Sequence, residues 1–254
     1  MQKSFFKKNS ELLRITTFCK RYSDLRSFQT IVFMLDDEKL LKYCLQHSTD
    51  TGLLLQDLER HTNLRTLNPQ MLSGPFQGML LKMLSQMIRP RRILEIGTFT
   101  GYSAICLAQG LESNGQLHTI EADDEVASIA TEYFRRAGLE QKITLHLGDA
   151  ASVVPALDEI FDLIFLDAGK MDYARHYHLA YPKLRPGGFL LADNVLWSGK
   201  VVRDEKDATA QALRAFNTMI QNDDRVENLL LPLRDGLMLA RKRDDIVPRP
   251  GNGP

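Results

Sequence analysis

The feature that most constrains this chain is a repeated switch between two hydrophobic periods. Short apolar runs of β type stand at residues 93–96, 117–120, 143–147, 163–166 and 189–192, and the stretches between them have helical length and character. Apolar runs too short for helices, each followed by a helical stretch, are what parallel strands covered on both faces require. Tight turns cannot join parallel neighbours, so the helices are the crossovers. Two further runs, at 226–231 and 237–241, are separated only by Pro232-Leu-Arg-Asp-Gly236, a connection short enough for a hairpin. The expectation is an α/β, Rossmann-like fold: a seven-stranded, mostly parallel sheet with an antiparallel C-terminal hairpin and helices on both faces. Before the first strand, Phe76, Met79, Leu80, Met83, Leu84 and Met87 fall at helical spacing and stop ahead of Pro90, which predicts a helix packing this stripe on the core.

The two ends of the chain read differently. In residues 1–33 seven basic side chains face only Glu11 and Asp24, and Phe5, Phe6 and Phe18 follow no period. No uninterrupted apolar stretch is present for a secretory signal, so this basic N-terminal extension is a loose tail, a targeting arm or a translation-start artefact. It offers no face to bury. The catalytic domain is expected over 34–243. Residues 244–254, ending Val247-Pro-Arg-Pro-Gly-Asn-Gly-Pro254, are expected to be a disordered tail, because three prolines and two glycines in that run break any regular element.

Charge and cysteine narrow the function. Lys+Arg and Asp+Glu both count 32, so no overall positive field gathers phosphate backbones, and a nucleic-acid partner is not expected. The apolar runs are far shorter than the roughly 20 residues of a membrane-spanning helix. Cys19, Cys44 and Cys106 are odd in number and widely spaced, giving neither a disulfide framework nor a zinc pattern. A reducing cytoplasm fits them. The six histidines likewise suggest no ligand set.

Polar residues gather where the runs end. Ile93-Leu-Glu95-Ile-Gly97-Thr-Phe99-Thr-Gly101-Tyr-Ser103 is a strand entering a glycine-bearing turn and then a helix, an arrangement that lets backbone approach a nucleotide-like ligand. Its glycines lack the Gly-x-Gly-x-x-Gly spacing that admits a pyrophosphate, which favours a ligand without one. Glu95 inside an apolar strand is costly unless something pairs with it. Glu121, at the second tip, is placed as a ribose-gripping acid would be. Asp149-Ala150, at the third, reads either as a helix cap or as part of an adenosine site. Asp167 ends the fourth run and Asp193-Asn194 the fifth, so two carboxylates and an amide oxygen stand at adjacent tips. That donor set suits a hard cation that keeps some of its waters. Trp197, just beyond, is either a wall for a flat aromatic molecule or simply packed.

From about Met71 to Lys242 the sequence resembles the cation-dependent O-methyltransferases of the catechol and caffeoyl-CoA type, most closely their bacterial small-molecule branch. The resemblance implies a class I methyltransferase fold, S-adenosylmethionine as cofactor and a homodimer. It implies Mg²⁺, or another divalent cation such as Mn²⁺ or Ca²⁺, at Asp167, Asp193 and Asn194. The stretch from Glu95 through Gly97, Phe99 and Gly101 to Ser103 looks like the family's cofactor loop, Glu121 like its ribose acid and Asp149-Ala150 like its adenine-side position. Met71-Leu-Ser73-Gly74 resembles the segment closing over the methionine end, and Asp167 borders both cofactor and cation. Lys170 looks like the general base, with a plain ion pair to a nearby carboxylate as the alternative. Gly169 departs from the family's Asp-Ala-Asp-Lys pattern. The expected reaction is methyl transfer to a hydroxyl of a small catechol-like, hydroxylated aromatic acceptor. The alternatives are a nicotinamide-dependent oxidoreductase on a similar sheet and a nucleic-acid methyltransferase.

Overall fold

In the computed structural model, β1 (Arg92–Ile96), β2 (Gln116–Glu121), β3 (Ile143–Leu147), β4 (Phe161–Leu166) and β5 (Leu184–Asp193) lie parallel, and β6 (Val226–Leu231) and β7 (Leu237–Lys242) close one edge as an antiparallel hairpin. The strand order is β3-β2-β1-β4-β5-β7-β6. The expected seven-stranded sheet is therefore present, hairpin included. The structure describes residues 38–203 and 206–244. The N-terminal extension and the tail beyond Asp244 lie outside them.

The chain divides into two compact units, Met1–Cys44 and Leu45–Pro254. Of the first, residues 38–44 are described, the opening turns of α1 (Glu38–Gln46). The second unit holds the sheet.

Alternation along the strands sorts the sheet's two coverings, because successive side chains point to opposite faces. Ile93, Leu117, Leu163, Phe165 and Leu191 pack with α2 (Leu53–Arg65), α3 (Gly74–Ile88), α4 (Tyr102–Ala108) and α5 (Asp124–Arg136). Leu94, Ile96, Ile164, Leu166 and Leu190 pack with α6 (Ala150–Ala156), α7 (Tyr173–Ala180) and α9 (Ala208–Asn222), which follows the short α8 (Lys200–Arg203). The chain leaves β1 in one direction toward β3 and returns to β4 on the other side of β1. A crevice opens at the carboxyl ends of strands where the order reverses in this way. It is here that the polar tips meet.

Two sequence expectations need correction. The methionine stripe of α3 meets the core only in part: Leu80 and Leu84 pack on it partly buried, the fully buried residues are Gln77, Gly78, Leu81 and Ser85, and Met83 and Met87 are 54% and 79% exposed. The small and polar face turns inward because α3 packs tightly on α4. A Cβ at position 78 would lie 2.5 Å from the Tyr102 ring, and Ser85 Oγ donates to the Leu107 carbonyl at 2.6 Å. The methionine side instead lines a cavity of about 410 Å³ with Phe76, Leu80, Leu45 and Leu233. Secondly, β5 starts well before residue 189. The strand runs through Pro186, Gly187 and Gly188, with its register against β4 shifted between Phe161 and Leu163.

The inverted helix face predicts opposite responses on α3. Leu81→Ala should cost about 2–5 kcal/mol, whereas Met87→Ala should stay within about 0.5 kcal/mol of wild type. Urea unfolding of both variants checks the assignment, and a larger loss at Met87 would reverse it.

Candidate active site

The site is built where β1 and β4 end side by side. Asp167 N donates to the Ile96 carbonyl at 2.9 Å, which presses the turn after β1 against the end of β4. A Cβ at Gly97, whose φ is +100°, would stand 2.1 Å from the Asp167 carbonyl oxygen; one at Gly101, φ +89°, would stand 2.6 Å from the Phe134 ring. The protein's own packing thus demands both glycines. Between them Phe99 takes φ 50°, and its N–H donates to Glu121 Oε2 at 2.7 Å.

Glu121 does sit at the tip of β2, and its other oxygen accepts from Ala122 N and Asp123 N at 2.9 and 3.0 Å. Three backbone donors therefore fix its carboxylate and tie it to the Phe99 turn. Asp149 accepts from Ala151 N at 2.9 Å and caps α6, with Ala150 buried behind it. The capping interpretation accounts for Asp149 by itself. Glu95 is fully buried on β1, and its Oε2 accepts from Thr119 Oγ1 at 2.5 Å. Its Oε1 has no partner. Burial pushes the Glu95 carboxyl up to about 8, against the pull of the Ser103 and Thr119 hydroxyls, and the charges of Asp167 and Glu121 raise it further. A buried acceptor left over beside two acids fits a donor or cation carried by a ligand.

The second cluster joins the tips of β4 and β5. Lys170 Nζ donates to Asp167 Oδ1 at 2.8 Å and to Tyr173 Oη at 2.7 Å. Tyr173, fully buried at the start of α7, puts that hydroxyl 2.8 Å from the Asp193 carbonyl and 3.2 Å from that of Leu166. One tyrosine thus pins the lysine to both strand ends. Asp193 is 2% exposed; its Oδ1 accepts from Asn194 N at 2.8 Å and its Oδ2 from Gln77 Nε2 at 2.6 Å. Burial, then the Asp167 charge, pushes its carboxyl up to about 6, with Gln77, Lys170 and Arg234 opposing. Asn194 ends the strand with φ 56°, a conformation asparagine tolerates better than most residues. Trp197 packs, partly buried, on the core beside α9.

Asp193, whose charged form burial and the Asp167 charge disfavour, stands with Asp167 and an amide oxygen adjacent in the chain, a donor set that fits a hard divalent cation. Among the described residues no group of three or more His, Cys, Asp and Glu is arranged to hold a metal. His118 Nδ1 and His146 Nε2 meet at 2.9 Å across β2 and β3 as a hydrogen-bonded pair. Ser73, buried at the start of α3, offers its carbonyl to Arg234.

Residues 45–243 match the O-methyltransferase family model. The chain belongs to the O-methyltransferase family. It is 36% identical over 182 residues to a catechol O-methyltransferase of Niastella koreensis, covering 68% of this chain and 82% of that protein. It is also 36% identical over 207 residues to a mouse catechol O-methyltransferase domain-containing protein, covering 75% and 78%. An O-methyltransferase from Bacillus cereus, solved in complex with SAH, superposes with a TM-score of 0.75 at 31% identity, covering 80% of this chain and 95% or more of its own length, namely 96%. The chemistry of this chain is S-adenosylmethionine-dependent methyl transfer to oxygen, not nicotinamide-dependent oxidoreduction.

Sequence reasoning missed Gln77, Thr119, Tyr173 and Arg234. Tyr173, three residues after Lys170, was open to detection as a helical neighbour. The other three reach the site only through packing.

Glu95 gives a test. Its native pKa lies above the unfolded value, so the protein is most stable below the unfolded pKa and loses stability as pH rises toward about 8. Without ligand, Glu95→Gln should therefore melt above wild type at pH 9 and lose that advantage near pH 5, with about 2–4 °C of shift for each kcal/mol. Parallel melting curves at both pH values would refute the buried-charge assignment.

Proposed function

We propose that this O-methyltransferase moves the methyl group of S-adenosylmethionine to a hydroxyl of a small catechol-like acceptor, with a divalent cation at Asp167, Asp193 and Asn194. The observation carrying this reading is the meeting of those three residues and Lys170 at the tips of β4 and β5. The 36% identity to a catechol O-methyltransferase and the SAH-bound Bacillus cereus relative support the acceptor class and the cofactor.

On this reading the cofactor lies in the crevice between Ser73, the turn from Gly97 through Phe99 and Gly101 to Ser103, and the Asp149-Ala150 tip. The carboxylate of Glu121, held rigid by three N–H donors, accepts the ribose hydroxyls through its remaining lone pairs. The unpaired Oε1 of Glu95 receives a donor from the cofactor. Asp167, Asp193 and Asn194 would hold a divalent cation, which would supply Lewis acidity to the acceptor hydroxyl. Lys170, held by Asp167 and Tyr173, is the base of this reading, and the acceptor's proton passes to its Nζ. The freed oxygen pair then forms the bond to the methyl carbon as the carbon–sulfur bond breaks, and its electrons neutralise the sulfonium.

The same reading takes the protein to be a cytoplasmic homodimer without a nucleic-acid or membrane partner. Zero net charge supports the first absence, and no described helix is long and apolar enough to cross a membrane. The catalytic domain is taken as 34–243, so a chain beginning at Met34 should retain full methyl transfer. Loss of turnover in that truncated chain would give residues 1–33 a role in catalysis.

Labelled S-adenosylmethionine, Mg²⁺ and a panel of catechols, with and without chelator, test the reaction. Transfer should require the cation, and transfer that survives chelation would sink the cation assignment. Asp167→Ala should abolish Mg²⁺-dependent transfer. Lys170→Met should lower kcat by roughly 10²–10⁴ with S-adenosylhomocysteine affinity unchanged. Near-normal turnover would leave Lys170 as an ion-pair partner only.

A further inference from the structure

Asp193 is also gripped from outside the strand-tip cluster. Arg234 stands in the connection between β6 and β7 with φ 49°, at the surface, but its guanidinium reaches inward. Its Nη1 donates to the Ser73 carbonyl and, at 2.6 Å, to Gln77 Oε1, and Nη2 reaches the Leu72 carbonyl at 3.5 Å. A guanidinium only donates, so the Gln77 oxygen must face it. The amide's NH₂ is then turned the other way, onto Asp193 Oδ2 at 2.6 Å. With Oδ1 taken by the Asn194 N–H, the plane of the Asp193 carboxylate is fixed.

The neighbours of Arg234 hold the loop that follows Asn194. Leu196 N donates to the Asp235 carbonyl at 2.8 Å, Val195 N to the Gly236 carbonyl at 3.2 Å, and Ser198 N to the Asp235 carboxylate. Gly236 is confined there, since a Cβ on it would lie 2.9 Å from Leu196 N. Three consecutive residues of the hairpin connection thus reach the end of β5, Arg234 through Gln77 to Asp193 and the next two through the loop at 195–198.

We propose that Arg234 and Gln77 are positioning residues that orient the Asp193 carboxylate for the cation and couple that orientation to the backbone of Leu72 and Ser73 beside the cofactor. This inference rests on the cation reading of Asp167, Asp193 and Asn194. Outer partners that orient a ligating carboxylate typically change metal affinity by about 10–100-fold when removed. Arg234 acts through Gln77, so its contribution should vanish once Gln77 is gone. A residue that merely braced the fold would show no such dependence.

The test is Mn²⁺ binding to the full chain saturated with S-adenosylhomocysteine, measured by calorimetry and by the spin signal of free Mn²⁺. Gln77→Met and Arg234→Met should each weaken Mn²⁺ about 10–100-fold, and the double variant should be no weaker than the weaker single one. S-adenosylhomocysteine affinity should hold in Gln77→Met. Arg234→Lys keeps a donor for Gln77 Oε1 and should stay closer to wild type than Arg234→Met; this surface pair carries the test if Gln77→Met does not fold. Unchanged Mn²⁺ affinity in the single variants, losses that multiply in the double variant, or equal affinity of the Lys and Met variants would each overturn the inference. Wild-type protein that bound no Mn²⁺ would overturn the cation reading beneath it as well.

Discussion

Everything chemical in this protein depends on how closely the end of β1 is pressed to the end of β4. The Asp167 N–H bonds the Ile96 carbonyl, and the turn after β1 then has room at position 97 for hydrogen alone. That contact lies at the reversal of strand order, where the two halves of a doubly wound sheet part and a crevice forms. Because β1 and β4 are locked tip to tip, Glu95 and the Phe99 turn on one side are held in fixed relation to Asp167 and Lys170 on the other. A cofactor half and an acceptor half need such rigidity, since in-line displacement tolerates little misplacement of the attacking atom.

The site also stores unfavourable electrostatics. Glu95 and Asp193 are both buried carboxyls raised well above their ordinary range, and in each case desolvation is the larger cause, with Asp167 adding like charge. A fold selected only for stability would place apolar side chains there. The surrounding structure instead spends hydrogen bonds on them: Thr119 on Glu95, Gln77 and a backbone N–H on Asp193. Groups so held need no reorientation when an opposite charge arrives, which is the electrostatic preorganisation on which catalysis depends.

The family resemblance rested on residues that lie close together in sequence, and the match over residues 45–243 agrees with it. The α3 stripe shows where such reasoning stops. Periodicity finds a helix but ranks its faces by apolar content alone, and here the face with glycine, serine and glutamine wins because it permits close approach to α4. Lys170 and Tyr173 are near enough in sequence for their contact to be foreseen. Gln77 and Arg234 are not, for neither belongs to a motif and each meets Asp193 or its partner across more than a hundred residues.

By itself, then, the sequence determined the sheet, its hairpin edge and the polar residues at each strand tip. Those depend on local period, turn chemistry and the alternation of strand side chains, which short stretches encode. Only the tertiary structure decided that Gly97 answers to the Asp167 backbone, that Glu121 is stapled by the Phe99 turn, and that Asp149 caps a helix. It alone brought Arg234 from the hairpin to the start of α3. The reason is physical: a hydrogen bond between distant residues depends on how whole elements pack, and no local pattern carries that information.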